Sequence, residues 1–140
     1  VTERWLGGII TNWKQVKTRI DKMLDLKKKR EAGELKKYTK KEQILFDRQI
    51  SRLEKFLGGL ADLKTAPEVL VIVDTHKERS AVREGTNKNL PIFGLVDSNG
   101  NPDPIKYPVP MNDDATKAIE IVVKLFGQAI ALGKAGKIEE

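Results

Sequence analysis

Hydrolytic chemistry usually needs a nucleophile beside a base, and this sequence offers almost no such pair. His76 is the only histidine, cysteine is absent, and no serine stands in a Gly-x-Ser-x-Gly setting. That argues against a hydrolase of the familiar kinds. The carboxylates are more informative. Asp74 ends the apolar run Val69 to Val73, and Asp97 ends the run Ile92 to Val96. Acids at the carboxyl ends of neighbouring parallel strands sit where α/β proteins bind ligands, and such a pair could hold Mg²⁺. The plainer alternative is that strand-end aspartates cap the following turns. The doublet Asp113-Asp114 has its own structural explanation, since acids in the first turn of a helix favour its dipole. Neither apolar run is followed by Gly-x-Gly-x-x-Gly or by a P-loop pattern, so a nucleotide site lacks its main signal. The sequence therefore assigns no catalytic residue, no metal ligand and no cofactor.

The cations point elsewhere. Residues 11 to 57 hold 15 Lys or Arg against 7 Asp or Glu, whereas the rest of the chain holds 11 against 13. A polycation confined to one segment implies a defined surface that faces a polyanion, although a solvated helix face rich in lysine is the structural alternative. Just ahead of this segment stands RWLGGIITNW, which contains both tryptophans of the chain. Arg4 can fork onto phosphate, Trp5 offers a flat face for a base, and Gly7-Gly8 removes side chains where a nucleic-acid backbone could approach. The alternative for Trp5 and Trp13 is that both are core anchors at the base of the arm, and for Trp13, in register with the following helix, that is the better reading.

The elements that must position these residues follow from periodicity. Trp13, Val16, Ile20 and Met23 step by three and four, which predicts an amphipathic helix capped by Asn12 with Gln15 and stopped at Gly33. Thr39 and Glu42 open a second helix whose seam is Phe46, Ile50, Leu53, Leu57 and Leu60, broken at Gly58-Gly59. Two helices of ~18 residues joined by a short turn, with facing seams, predict an antiparallel helical hairpin, a coiled-coil arm ~27 Å long. The chain then changes character. The two apolar runs predict strands covered on both faces, and HKERSAVREGTNKNLP between them suits a crossover helix, giving a parallel βαβ unit. Tyr107-Pro108-Val109 predicts a brief third strand. Asn112-Asp113-Asp114 caps a last helix with an apolar face of Ala115, Ile119, Val122, Val123, Phe126 and Ile130. The expected organisation is a junction over residues 1–12, the hairpin over 13–60 and an α/β body over 61–140.

At 140 residues with 39% hydrophobic content the chain can bury one modest core. No apolar run approaches the ~20 residues that span a bilayer, and no signal region opens the sequence, so a soluble, intracellular protein is expected. The first residue is Val1, which suggests a processed chain or a fragment.

RWLGG followed by TNW, a lysine-rich hairpin ending in LEKFLGG, then VIVDTHKE, LPIFGLVDSNGNPD and YPVPMNDDA, together resemble in order the bacterial-type small-subunit ribosomal protein number two, the uS-two family. The resemblance covers nearly the whole chain. The family pattern usually reads Asp-Thr-Asn and Asp-Pro where this chain has Asp97-Ser98-Asn99 and Asn101-Pro102, and Glu-Ala where it has Glu84-Gly85. The resemblance implies a flavodoxin-like α/β parallel sheet, incomplete here because the family's first strands precede this segment, with an inserted antiparallel helical hairpin. It implies a structural constituent of the small ribosomal subunit and not an enzyme. The implied partners are small-subunit ribosomal RNA and neighbouring ribosomal proteins, ribosomal protein one among them, with no membrane and no small-molecule substrate. The implied location is the ribosome, in the cytoplasm or an organelle. On this basis the expected RNA-binding residues are Arg4, Trp5, Thr11, Asn12, Lys14 and Lys17, the three cations pairing with phosphates and Thr11 and Asn12 either capping the helix or bonding sugar and phosphate oxygens. Two rivals stand beside it: a Mg²⁺-dependent α/β regulatory or phosphotransfer module using Asp74 and Asp97, and a coiled-coil protein-interaction module.

Overall fold

A computed structural model describes residues 1–136. These residues divide into two compact units, one spanning Val1–Glu68 and the other beginning at Val69. Among them no helix is long and apolar enough to cross a membrane.

In the first unit, helices α1 (Trp13–Glu31) and α2 (Lys40–Leu57) pack against each other. The three-and-four spacing puts Val16, Ile20, Met23 and Leu26 on one face of α1, and all four are buried. From α2 come Ile50 and Leu57, with Phe46 and Leu53 half-buried beside them. Ile20 and Ile50 are completely enclosed. Each such side chain contributes ~1.5–3 kcal/mol by leaving water. The helices run antiparallel, since Lys27 pairs with Glu54 while Arg30, further along α1, reaches back to Asp47 at 3.8 Å.

The ends of these helices differ in how they are held. Asn12 occupies the N-cap position of α1, yet its side chain makes no capping bond, so the expected Asn12–Gln15 cap does not form. Its backbone, at φ −135° and ψ 49°, lies away from the extended conformation that aims a capping side chain at the first turn. Backbone groups do the work instead. The Asn12 N–H donates to the Gly8 carbonyl at 2.8 Å, and the Asn12 carbonyl accepts from the N–H of Gln15 and of Val16. At the other end the chain reverses at Gly33, whose φ of 74° suits glycine and whose N–H donates to the Arg30 carbonyl. A short 3₁₀ turn, Glu34–Lys37, buries Leu35. The start of α2 is a complete capping box: Thr39 N–H and Oγ1 donate to Glu42 Oε2 at 2.9 and 2.8 Å, and Glu42 N–H donates back to Thr39 Oγ1. Those two Thr39 donors hold the Glu42 carboxyl below its ordinary range. After Leu57 the Gly-Gly pair begins another 3₁₀ turn, Gly58–Leu60. Residues 61–68 stay with this unit, and Lys17 Nζ donates to the Leu63 carbonyl at 3.4 Å.

The second unit is α/β. Strand β1 (Leu70–Ile72), helix α3 (Arg79–Asn87), strands β2 (Ile92–Val96) and β3 (Tyr107–Pro110), and helix α4 (Thr116–Lys134) follow in chain order. The sheet is parallel throughout in the order β1-β2-β3, with Leu70 opposite Ile92 and Phe93 opposite Tyr107. β3 holds Pro108 and Pro110, which suits an edge strand because proline cannot donate to a further neighbour. Strand residues alternate between faces, so the register assigns a helix to each side. On the face of Leu70 and Ile92 lies α3, so close that a Cβ on Gly85 would sit 2.7 Å from Leu70 Cδ1. On the other face Phe93 stacks on Tyr107 at 4.4 Å and meets Phe126 of α4 edge-on at 5.9 Å.

Two expectations need correction. β1 is not covered on both faces: Leu70 and Ile72 are buried, but Val69 and Val71 are about half exposed. As an edge strand it has a neighbour on one side only, and α3 shields just one of its faces. In α4 the apolar face is only partly used. Ala115, Ile119, Val122 and Phe126 are half-buried, whereas Val123 and Ile130 are exposed. The helix is apolar nearly all round, and one sheet cannot cover every side of it.

Because Ile50 is fully enclosed between α1 and α2, Ile50→Asp would bury an unpaired charge and is expected to cost several kcal/mol and to abolish most of the helical circular-dichroism signal of the hairpin. Retention of that signal would count against the packing described. The capping geometry predicts a contrast in denaturant titrations: Thr39→Ala should lose about 1 kcal/mol, while Asn12→Ala should change stability by no more than a few tenths.

Candidate nucleic-acid interface

Of the residues expected to meet RNA, the structure gives Arg4 a setting that suits the task. Arg4 is exposed and lines a groove of about 460 Å³ on the hairpin unit. Arg19 and Lys22 enter from α1 and Gln49 and Arg52 from α2. Each pair is spaced i, i+3, which places both members on one side of their helix. The antiparallel register then sets the two pairs beside the same groove. Its apolar walls are Leu6, Leu53, Phe56 and Leu57. Among the described residues Arg4, Arg19, Lys22 and Arg52 enter no ion pair, so their charges are available to a polyanion. Arginine adds a planar fork that matches phosphate oxygens and stacks on a base.

The other expected residues are placed differently. Lys14, Thr11 and Asn12 are exposed but do not line the groove, and Trp5 and Trp13 are half-buried. Lys17 is already engaged, since its ammonium pairs with Asp21 at 3.2 Å and donates to the Leu63 carbonyl. At the far end of the hairpin, Lys27, Lys29 and Arg30 pair with Glu54, Asp25 and Asp47. Lys17, Lys27, Lys29 and Arg30 thus each stand beside a carboxylate, whereas the groove gathers cations that do not. Reading the sequence in single helices missed Arg19, Lys22, Gln49, Arg52 and Phe56 as one group. The signal was their i, i+3 and i, i+4 spacing on two helices that face each other.

The strand-end acids form a separate constellation in the second unit. Asp74, with φ 60°, follows β1 and accepts a hydrogen bond from the Lys77 N–H at 2.8 Å, as a turn-capping aspartate should. Asp97 follows β2 and accepts from the Ser98 N–H at 2.7 Å. Asp113 and Asp114 do not lie in the first turn of α4 as expected: the helix begins at Thr116, and Asn112 Oδ1 caps the preceding turn by accepting from the N–H of Asp114 and of Ala115. Asp113 is buried, with only 7% of its surface exposed. Burial raises its carboxyl above the ordinary aspartate range, and the negative charges of Asp74, Asp97 and Asp114 raise it further.

A family profile described as Ribosomal protein S2 matches residues 1–133. The chain belongs to the ribosomal protein S2 family. Similar relatives include the small ribosomal subunit protein uS2 of Nostoc punctiforme, 39% identical over 139 residues, and that of Oenococcus oeni, 42% identical over 137. These alignments cover 99% and 98% of this chain but 53% of each relative, so the chain spans about half the length of the curated relatives it matches. S2 membership bears out the resemblance carried by RWLGG, VIVDTHKE and YPVPMNDDA, and the S2 match takes in all of the first unit and the second as far as residue 133.

The raised Asp113 carboxyl predicts a pH dependence for this S2 chain. A carboxyl held above its unfolded value binds its proton more tightly in the native state, so its contribution falls as pH rises from the ordinary aspartate range through the folded value. Above that window the full penalty applies. In buffer free of divalent cations, Asp113→Asn is therefore expected to be more stable than the parent at neutral pH. Denaturant titrations on both proteins should show the gap closing as pH falls below the ordinary aspartate range, and a gap independent of pH would refute the assignment.

Proposed function

We propose that this chain serves as a structural constituent of the small ribosomal subunit, in the cytoplasm of its source, and docks on small-subunit ribosomal RNA through its hairpin unit. The observation that carries the reading is the convergence of Arg4, Arg19, Lys22 and Arg52 on one groove with no internal counter-ion among the described residues. Phosphate contacts of this kind position a protein on folded RNA without reading sequence. Phe56, with Leu53 beside it, gives the groove an apolar wall against which a base or sugar can pack. Of the residues first expected at the interface, Arg4 is retained at its centre, with Lys14, Trp5, Thr11 and Asn12 as flanking contacts; Lys17 contributes by fixing Leu63 and Asp21 in place. Its role is binding rather than catalysis, with neighbouring ribosomal proteins, ribosomal protein one among them, as further partners. Family membership supports this reading over a phosphotransfer module or a coiled-coil interaction module.

The test compares two triple variants in titrations against small-subunit ribosomal RNA over a range of potassium concentrations. Arg4, Arg19, Arg52→Ala, checked for retained helicity, should bind more weakly and show a log-log salt slope shallower by about 2–3, as expected for three lost phosphate contacts. Lys27, Lys29, Arg30→Ala removes cations already paired with carboxylates and should change the slope less. The opposite ranking would place the RNA surface at the far end of the hairpin.

A further inference from the structure

The acids at the carboxyl edge of the sheet lie outside the groove proposed for RNA, and their arrangement is costly as it stands. Asp97, Asp113 and Asp114 each present a carboxylate oxygen, and the three oxygens lie within 4.8 Å of one another. Exposed acids often cluster harmlessly because water screens them. Asp113 is not screened in that way. Its side chain is more than nine-tenths buried, and its Oδ2 is sealed from solvent with no hydrogen-bond partner. Native proteins seldom leave a buried oxygen unpaired, and such a group calls for a partner. A second buried oxygen in the same state lies nearby: Thr75 Oγ1, one residue beyond Asp74, has no partner, and a Cβ on Gly100 in the turn after Asp97 would come within 3.1 Å of it.

Protonating Asp113 would reduce the repulsion, but in the charged form its buried Oδ2 has no donor to pair with. A cation between the three carboxylates answers both problems, since it supplies the missing partner and offsets the charge. The donors are all oxygen, which selects a hard ion over a transition metal that prefers nitrogen or sulfur. Oxygens on opposite sides of a Ca²⁺ shell are about 4.8 Å apart, which matches the spread of the three carboxylates, while the Mg²⁺ shell, about 4.2 Å across, needs a small inward movement of the side chains. We propose that Asp97, Asp113 and Asp114 together bind one divalent, oxygen-preferring cation of the Mg²⁺ or Ca²⁺ class, which ties the carboxyl end of β2 to the segment between β3 and α4. Water completes the shell on the exposed side of Asp114.

The full chain, stripped with EDTA, is melted in KCl and then in MgCl₂ or CaCl₂ at matched ionic strength. A divalent concentration a hundred times the dissociation constant should raise the folded-to-unfolded ratio about a hundredfold, and the two salts distinguish the ions. Asp113→Asn and Asp97→Asn should lose this gain. Both remove repulsion without removing volume, so both should fold without divalent ions. As a readout independent of any variant, MnCl₂ should selectively broaden the amide signals around Asp97, Asp113 and Asp114 in the parent chain. The proposal is overturned if the parent melts identically in all salts, if Asp113→Asn gains as much from MgCl₂ or CaCl₂ as the parent, or if the broadening centres elsewhere.

Discussion

Parallel strand alignment governs the second unit. Because β1, β2 and β3 all run the same way, their carboxyl ends must share one edge of the sheet, and whatever follows each strand is forced into that row. Asp74 and Thr75, Asp97, and the segment from Met111 to Asp114 become neighbours for this reason alone. The chain must also return from that edge to the opposite one twice. It does so first through α3, and then through a loop whose turns close by Gly100 N–H to the Asp97 carbonyl and Ile105 N–H to the Pro102 carbonyl. Ile105 is buried over Gly94 and takes the place that a second crossover helix would fill. The crowding of acids is thus a by-product of topology, set before any ligand is considered.

In the first unit the corresponding constraint is helix register. Ile20 and Ile50 lock the two helices at one relative height, and that height decides which surface cations meet carboxylates and which meet each other. Toward the turn the pairing is complementary, Lys27 with Glu54 and Arg30 with Asp47. Toward the other end Arg19 and Lys22 face Gln49 and Arg52, with no acid among them. Such surface pairs contribute at most ~1 kcal/mol each, so their stability value is small. Their greater effect is to decide which cations stand beside a carboxylate and which do not.

Much of this was legible in the sequence wherever the signal was local. The capping box needs only Thr39 and Glu42 three residues apart, the hairpin reversal needs only Gly33, and β2 begins and ends where its apolar run does. What could not be read depended on residues far apart in the chain. Asn12 has the right side chain for a cap, but the turns before it leave its backbone in the wrong conformation. Lys17 looked available until Leu63 was placed beside it. Val71 matched a strand buried on both faces, although its exposure is set by what lies beside β1 and not by the strand itself. The groove cations were visible individually, and only the pairing of two helices made them a group.

The contact between α3 and the sheet carries a consequence for how this S2 chain can vary. In this chain the place of a methyl at Gly85 is taken, since a Cβ there would lie 2.7 Å from Leu70 Cδ1 and 3.0 Å from Ile92 Cδ1. The volume given up by the helix has been taken by the two strands. Positions 70, 85 and 92 therefore share one fixed space, and sequences of this family should exchange bulk among them: a larger residue in the helix should accompany a smaller one on β1 or β2. A larger residue at any one of them overpacks this core unless another gives way. Which substitutions the chain tolerates is thus a property of the trio, not of any one site.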